Sequence, residues 1–333
     1  MTVTYRVRHK TIYGYGVPVT LSHHLARLKP RETPYQRVLS ADIVMTPEPS
    51  CQTDETDAFG NTATFLIAET PHREMTIVSE FTAEITPPVY PDPELTPAWE
   101  RIAAMMAHPD TPELTAAAEM AAPSRFIPLS AAAKAYAAPS LSPNRPVLTA
   151  AEEIMRRIYR DFTYDPSATS IATPVDETIA MKRGVCQDFA HVAIACLRAW
   201  GLPARYVSGY IRTRRAAEAE RKGEIEMIGG DASHAWFSVF VPSFGWVDLD
   251  PTNNMYIGSE HLTVGWGRDF DDMSPVKGIM TGGGRHTVSV DVGVRTISAA
   301  KERRAAHGVR GCRRADDQRR KRTAVGKICL LIH

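Results

Sequence analysis

The chain has 333 residues, of which 44% are hydrophobic and 23% charged, with a formal net charge of +1. That length suits two domains with a sizeable core and excludes a collagen-like, coiled-coil or wholly disordered chain. No run of about 18 apolar residues occurs, so no membrane span is expected.

The first eight residues lack the apolar core of a signal peptide and read as a mature cytoplasmic start. Residues 5–8, 38–45, 62–67 and 75–85 alternate apolar and polar side chains, and a turn at 57–61 separates two of the runs. Short strands divided by turn residues predict an antiparallel, sandwich-like β domain over 1–86. No nucleophile–base pair stands out there, so it reads as a docking or substrate-positioning module. Pro87, Pro88, Pro91, Pro93 and Pro97 then mark a boundary, because proline removes ladder donors. Residues 87–148 form a Pro/Ala-rich connection, and 98–147 read as short surface helices. A helix is expected from Thr149, capped by Thr149 with Glu152 closing a capping box, its buried face marked by Ile154, Ile158 and Phe162. A second helix runs from Cys186 to about Trp200, stopped by Gly201-Leu202-Pro203, and strands follow at 204–211, 235–241 and 246–250. Helices followed by an antiparallel sheet make this half α+β, not doubly wound.

Five cysteines (Cys51, Cys186, Cys196, Cys312, Cys329) are scattered with no CxxC pair, so neither a disulfide framework nor a zinc knuckle is expected. Cys186 is singular because it opens a helix, where unpaired N–H groups and the positive dipole end favour a thiolate nucleophile. The bland alternative is a buried core cysteine, which fits Cys196 among Ile194, Ala195 and Leu197. His234, at the entry to a strand, is the candidate base. His191 lies five residues after Cys186 on one helix, about 140° round it, so the two side chains diverge. Asp250 before Pro251 could orient the imidazole, but Asp248 shares its sheet face, and spacing alone leaves both open.

The runs Arg183-Gly184-Val185-Cys186-Gln187-Asp188, Gly201-Leu202-Pro203-Ala204-Arg205, His234-Ala235-Trp236 and Asp248-Leu249-Asp250-Pro251-Thr252 resemble the transglutaminase-like superfamily. More narrowly they resemble its bacterial branch of proposed cysteine proteases. Leu28-Lys29-Pro30-Arg31 and Asp57-Ala58-Phe59-Gly60-Asn61 resemble the β-rich domain that precedes the core in that branch, and the likeness covers roughly residues 1–292. The resemblance implies a papain-like core over 149–292, a helix with an N-terminal cysteine packed on an antiparallel sheet. It implies Cys186 as nucleophile, His234 as base and Asp250, rather than Asp248, as the orienting carboxylate. An oxyanion would take the Cys186 N–H, with Gln187 or Tyr164 as candidate second donor. Trp236 is either a wall of the site or a core aromatic.

The expected function is cysteine-dependent acyl transfer on amide bonds, with peptide or isopeptide hydrolysis ahead of protein-glutamine transamidation. A non-catalytic binding module or an assembly protein on the same fold are the other readings. A protein or peptide substrate is expected, and no cofactor or metal; calcium dependence in particular has no support, since no EF-hand-type loop is visible. The charged stretch 212–224 before His234 is either a loop over the cleft or a plain solvated loop. Residues 301–333 carry eleven Lys/Arg against three Asp/Glu, net +8, which leaves −7 on the first 300 residues of a +1 chain. An acidic body argues against nucleic acid as a partner, and the basic 293–333 tail reads as a disordered extension.

Overall fold

In the computed structural model, residues 2–212 and 233–297 are described. The insertion and tail expectations, at 213–224 and 298–333, fall outside them. The first strand, β1 (Val3–Ala26), runs 24 residues and changes partners midway. Its first half pairs with β5 (His72–Ile85), with a register shift between Gly14 and Val19, and its second half with β4 (Thr62–Ala68); a second shift, between Val19 and Leu21, lies in its pairing with residues 276–282. Such bulges bend a strand and let one element serve two ladders. β2 (Gln36–Thr46) and β3 (Cys51–Thr56) complete the order β2-β5-β1-β4-β3. Residues 276–297, read from sequence as the end of the core and start of the tail, form β13 (Val276–Gly282) and β14 (His286–Ile297), which pair with β1. The β-rich half is therefore one antiparallel sheet of seven strands closed by the chain's later part.

The connection carries α1 (Trp99–Ala107), α2 (Pro112–Glu119) and α3 (Ala131–Ala137), which pack their apolar faces on the core. The next helix, α4 (Val147–Asp161), departs from expectation: it begins two residues before Thr149, after Pro146. Its first N–H groups are satisfied from a distance, Val147 by the Pro97 carbonyl and Leu148 by the Thr96 hydroxyl. The helix therefore needs no cap from Thr149, and Glu152 instead accepts from Tyr256 and Arg156. Ile154, Ile158 and, at the C-cap, Phe162 are buried as the spacing predicts.

The short β6 (Thr163–Tyr164) and α5 (Val175–Met181) lead through β7 (Arg183–Gly184) into α6 (Cys186–Arg198). Every residue of α6 from Asp188 to Arg198 is buried, as expected of a helix enclosed on all sides. One side of α6 meets the five-stranded antiparallel sheet β11-β10-β9-β8-β12, made of β8 (Ala204–Ile211), β9 (Ser233–Val241), β10 (Gly245–Asp250), β11 (Met255–Tyr256) and β12 (His261–Gly267). Along β9, Ala235, Phe237 and Val239 join the apolar cluster around α6. The period of two then turns His234, Trp236 and Ser238 to the other face. On that side Tyr210, Leu262 and Val264 pack with Tyr5, Val7 and Phe81 of the first sheet. The sheet is thus covered twice, by helices and by the β-rich half, and the described residues up to 295 belong to one compact unit. No helix among the described residues is long and apolar enough to cross a membrane.

Gly209 shows how tight this packing is. It pairs with His234 across β8 and β9, and a Cβ there would overlap the Leu262 carbonyl oxygen and lie 2.5 Å from Trp236 Cη2. Gly209→Ala should therefore lower stability by about 1–3 kcal/mol, the usual range for overpacking. Gly293, where an added Cβ meets nothing within 4 Å, is the control and should shift by no more than about 0.5 kcal/mol as alanine. Urea denaturation midpoints compare the two.

Candidate active site

Position 186 is set by a small backbone lock. β6 and β7 pair in parallel, Thr163 with Arg183 and Tyr164 with Gly184, which holds the chain just before the helix. Asp188, in the first turn of α6, reaches back to accept the Val185 N–H at 2.8 Å and the Thr169 hydroxyl at 2.7 Å. A Cβ on Gly184 would sit 2.6 Å from that Asp188 oxygen, so the glycine makes room for the carboxylate. Burial pushes the Asp188 carboxyl up despite these two donors. The glycine and aspartate on either side are consumed in structure, and Cys186 is left half-buried at the helix start.

His234 stands at the beginning of β9, where its imidazole hydrogen-bonds Asp250 and lies near enough to Cys186 for the two to interact electrostatically. Nε2 donates to Asp250 Oδ2 at 2.7 Å, which leaves Nδ1 as the ring atom for the thiol. The imidazole is 8% exposed and the carboxylate 0%. Burial opposes a charge on His234, but the Asp250 carboxylate and then Cys186 outweigh it and push the imidazole up to about 10. Burial likewise acts to raise Asp250, yet His234 and then His261 hold it far below the usual carboxylate range.

Asp250 is the most heavily used acceptor of the site. Oδ1 takes the N–H groups of Thr252 at 2.9 Å and Asn253 at 3.2 Å. Oδ2 takes His234, the Asn253 side chain at 2.6 Å and His261 Nε2 at 3.2 Å. Asp248, two residues earlier, has a different role. It accepts from the Ser238 hydroxyl and from Tyr35 OH at 2.8 Å, and burial raises its carboxyl in spite of Arg205. Geometry therefore separates two carboxylates that spacing left equal: Asp250 meets His234, and Asp248 meets the β-rich half.

His191 is buried in the helix core, where Nε2 accepts the Phe270 N–H at 3.1 Å, and burial pulls it down to about 4. Cys196 is fully buried, with its thiol pushed up to about 12. Both are packing residues, as their helix positions implied. Tyr164 is 53% exposed, near enough to Cys186 to interact electrostatically, with its ring against Phe189. Gln187 donates its amide to the Ile171 carbonyl at 3.4 Å, so that side chain is engaged with a loop. Trp236 is fully buried with Val207 and Ile257, its ring 6.1 Å from that of His234. It is a core aromatic that backs the imidazole rather than a solvent-facing wall. Asp188, Asn253 and His261 were missed from sequence. Asp188 had a signal, its first-turn place after the glycine, whereas nothing in the spacing ties His261 to Asp250.

His234, Asp250 and His261 offer ligand atoms within 4.8 Å of one another, a set that could hold a transition metal. The hydrogen bonds present work against it. His261 Nδ1 accepts the Gly258 N–H at 3.2 Å, so its proton sits on Nε2, facing the oxygen that a cation would need.

Residues 5–84 match the bacterial transglutaminase-like N-terminal region, and residues 134–251 match the transglutaminase-like superfamily. An uncharacterised protein of Mycobacterium tuberculosis is 37% identical over 303 residues, covering 89% of this chain and 93% of its own. A protein-glutamine gamma-glutamyltransferase of Pseudomonas aeruginosa is 32% identical over 91 residues, 27% of this chain and 13% of its own. The crystal structure of a proposed cysteine protease from Cytophaga hutchinsonii shares the fold at TM-score 0.69 and 19% identity, over 90% of this chain and 92% of that one. The chain belongs to the transglutaminase-like superfamily, whose members are generally cysteine-dependent enzymes.

The shifted pair has a pH signature. His234, raised from 6.5 to about 10, contributes stability that is complete below pH 6.5 and is lost as pH rises through about 10. Asp250, depressed from 3.8, contributes above that value and loses its share only as pH falls through its depressed range. The melting temperature should fall between about pH 7 and about pH 10.5, and His234→Gln should flatten that fall. Differential scanning calorimetry at the two pH values measures it; parallel curves would mean the imidazole carries no such charge.

Proposed function

We propose that this member of the transglutaminase-like superfamily is a cysteine amidase or peptidase acting through Cys186, His234 and Asp250. The observation that carries the reading is a buried imidazole bound through Nε2 to Asp250, with Cys186 near enough to interact with it. An imidazole pushed up to about 10 holds its proton at neutral pH, and we assign that proton to the Cys186 thiol as its source.

The reaction then needs no further reagent. The Cys186 sulfur attacks the amide carbonyl carbon, and a C–S bond forms as the carbonyl π pair moves onto oxygen. Collapse breaks the C–N bond while His234 gives its proton to the departing nitrogen, leaving a thioester. Water, losing a proton to His234, attacks the thioester, and the acid product leaves as the sulfur regains its charge. A second amine in place of water would yield transamidation. We favour hydrolysis, on the likeness to the bacterial branch of proposed proteases. The developing oxyanion would meet the N–H of Cys186 at the helix start. Tyr164 is the better second candidate, because the Gln187 amide is already engaged with Ile171.

Iodoacetamide at about pH 6 should label Cys186 at least about tenfold faster than exposed Cys51, and His234→Ala should remove that advantage. Asp250→Asn should cut turnover by about 10²–10⁴-fold with the fold retained, by analogy with the loss of an orienting carboxylate. Equal labelling of Cys186 and Cys51 would favour the binding-module reading instead. Comparing new protein termini with amine incorporation, wild type against Cys186→Ala, separates hydrolysis from crosslinking.

A further inference from the structure

We propose that His261 is a positioning residue: a neutral second imidazole that clamps Asp250, so that the carboxylate keeps a fixed lone pair on His234. The proposal rests on the reading of Cys186 and His234 given above. His261 opens β12 and is fully buried. Its Nε2 donates to Asp250 Oδ2, the same oxygen that receives His234.

Its protonation state follows from its other partner. Nδ1 accepts the Gly258 N–H at 3.2 Å, while the His261 N–H donates to the Gly258 carbonyl at 3.3 Å. A ring nitrogen that accepts a hydrogen bond carries no proton, so the proton of neutral His261 is on Nε2. Protonating Nδ1 as well would set two donors face to face. His261 therefore gives Asp250 a hydrogen bond while leaving the positive charge to His234. A second cation at this carboxylate would instead compete with the first. The ring is held in place by Trp236, edge-on at 5.4 Å and 86°, and Trp236 in turn needs the space left by Gly209. The ionisable groups around His261 are Asp250, His234 and, one alternation back along β10, Asp248.

Without this donor, the oxygen of Asp250 that faces His234 would keep two of its three hydrogen bonds, and Asn253 would be its only donor besides His234 itself. Two variants of matched length isolate the N–H: His261→Gln keeps a donor, and His261→Met does not. The readout is the Cys186 alkylation rate at about pH 6 divided by that at about pH 9, where an ordinary thiol with pKa of about 8.5 ionises unaided. His261→Gln should stay within about threefold of the wild-type ratio, and His261→Met should fall by about tenfold or more, as loss of a bond to a charged group requires. Equal ratios in two folded variants would reduce His261 to packing and overturn the proposal.

If circular dichroism shows the methionine variant unfolded, ¹H–¹⁵N correlation of the wild-type imidazoles decides. A proton on Nε2 with bare Nδ1 at about pH 7 supports the clamp. The opposite tautomer, or an imidazolium, overturns it. A wild type whose Cys186 has no advantage at about pH 6 removes the nucleophile reading itself. That failure differs from a failure of the clamp, in which wild type keeps the advantage and the two variants behave alike.

Discussion

A carboxylate taken wholly out of water is the constraint around which this site is organised. Asp250 is 0% exposed, and an ion in such a place is tolerated only when its lone pairs are matched by donors. Two backbone N–H groups, one amide and two imidazoles supply the match. Both backbone donors and the amide come from the turn directly after it, at Thr252 and Asn253. Local chain geometry therefore fixes Oδ1, and the long-range partners converge on Oδ2. The strength of His234 as a proton holder is a consequence: the carboxylate can sustain a neighbouring charge because it has been made rigidly anionic.

The fold brings these groups together from distant parts of the chain. Cys186 comes from a helix start, His234 from a strand start, Asp250 from a strand end, and His261 from the start of a strand beyond the next turn. Antiparallel neighbours place strand starts beside strand ends, so one end of the five-stranded sheet collects all three sheet residues. The buried α6 then delivers its first residue to the same end. The apolar run that makes α6 a core helix and the half-buried position of its first cysteine are two results of one docking.

The sequence made much of this legible, for reasons specific to each residue. Cys186 stands out because it opens a helix, where the dipole and free N–H groups favour a thiolate, while Cys196 and His191 are set apart by their place on the same helix. The start of α4 was misread because Thr149 and Glu152 have the local grammar of a cap, while the true donors' partners, Thr96 and Pro97, lie some fifty residues earlier. Short-range patterns carry no trace of such a tertiary cap. His261 was invisible for a related reason. A histidine opening a strand has no distinguishing neighbour, and its meaning lies in Gly258 behind it and Asp250 in front. The return of β13 and β14 to the first sheet is likewise a matter of pairing that the residues 276–297 do not announce by themselves.

Asp248 and Asp250 show how environment divides two like groups on one strand. They share a face, yet burial raises the first and two imidazoles depress the second. Asp248 accepts from Ser238 on the neighbouring strand and from Tyr35, just before β2 in the β-rich half. Close by, Arg205 stacks over Trp246 and Trp266, and Arg31 from the β-rich half lies over the same Trp266 at 3.3 Å. The outer face of β10 would otherwise open this polar layer to water one alternation from Asp250. Solvent there would weaken the low-dielectric coupling between Asp250 and His234. The β-rich half is therefore part of the site's electrostatics: by closing that face, it keeps water from screening the attraction between Asp250 and His234.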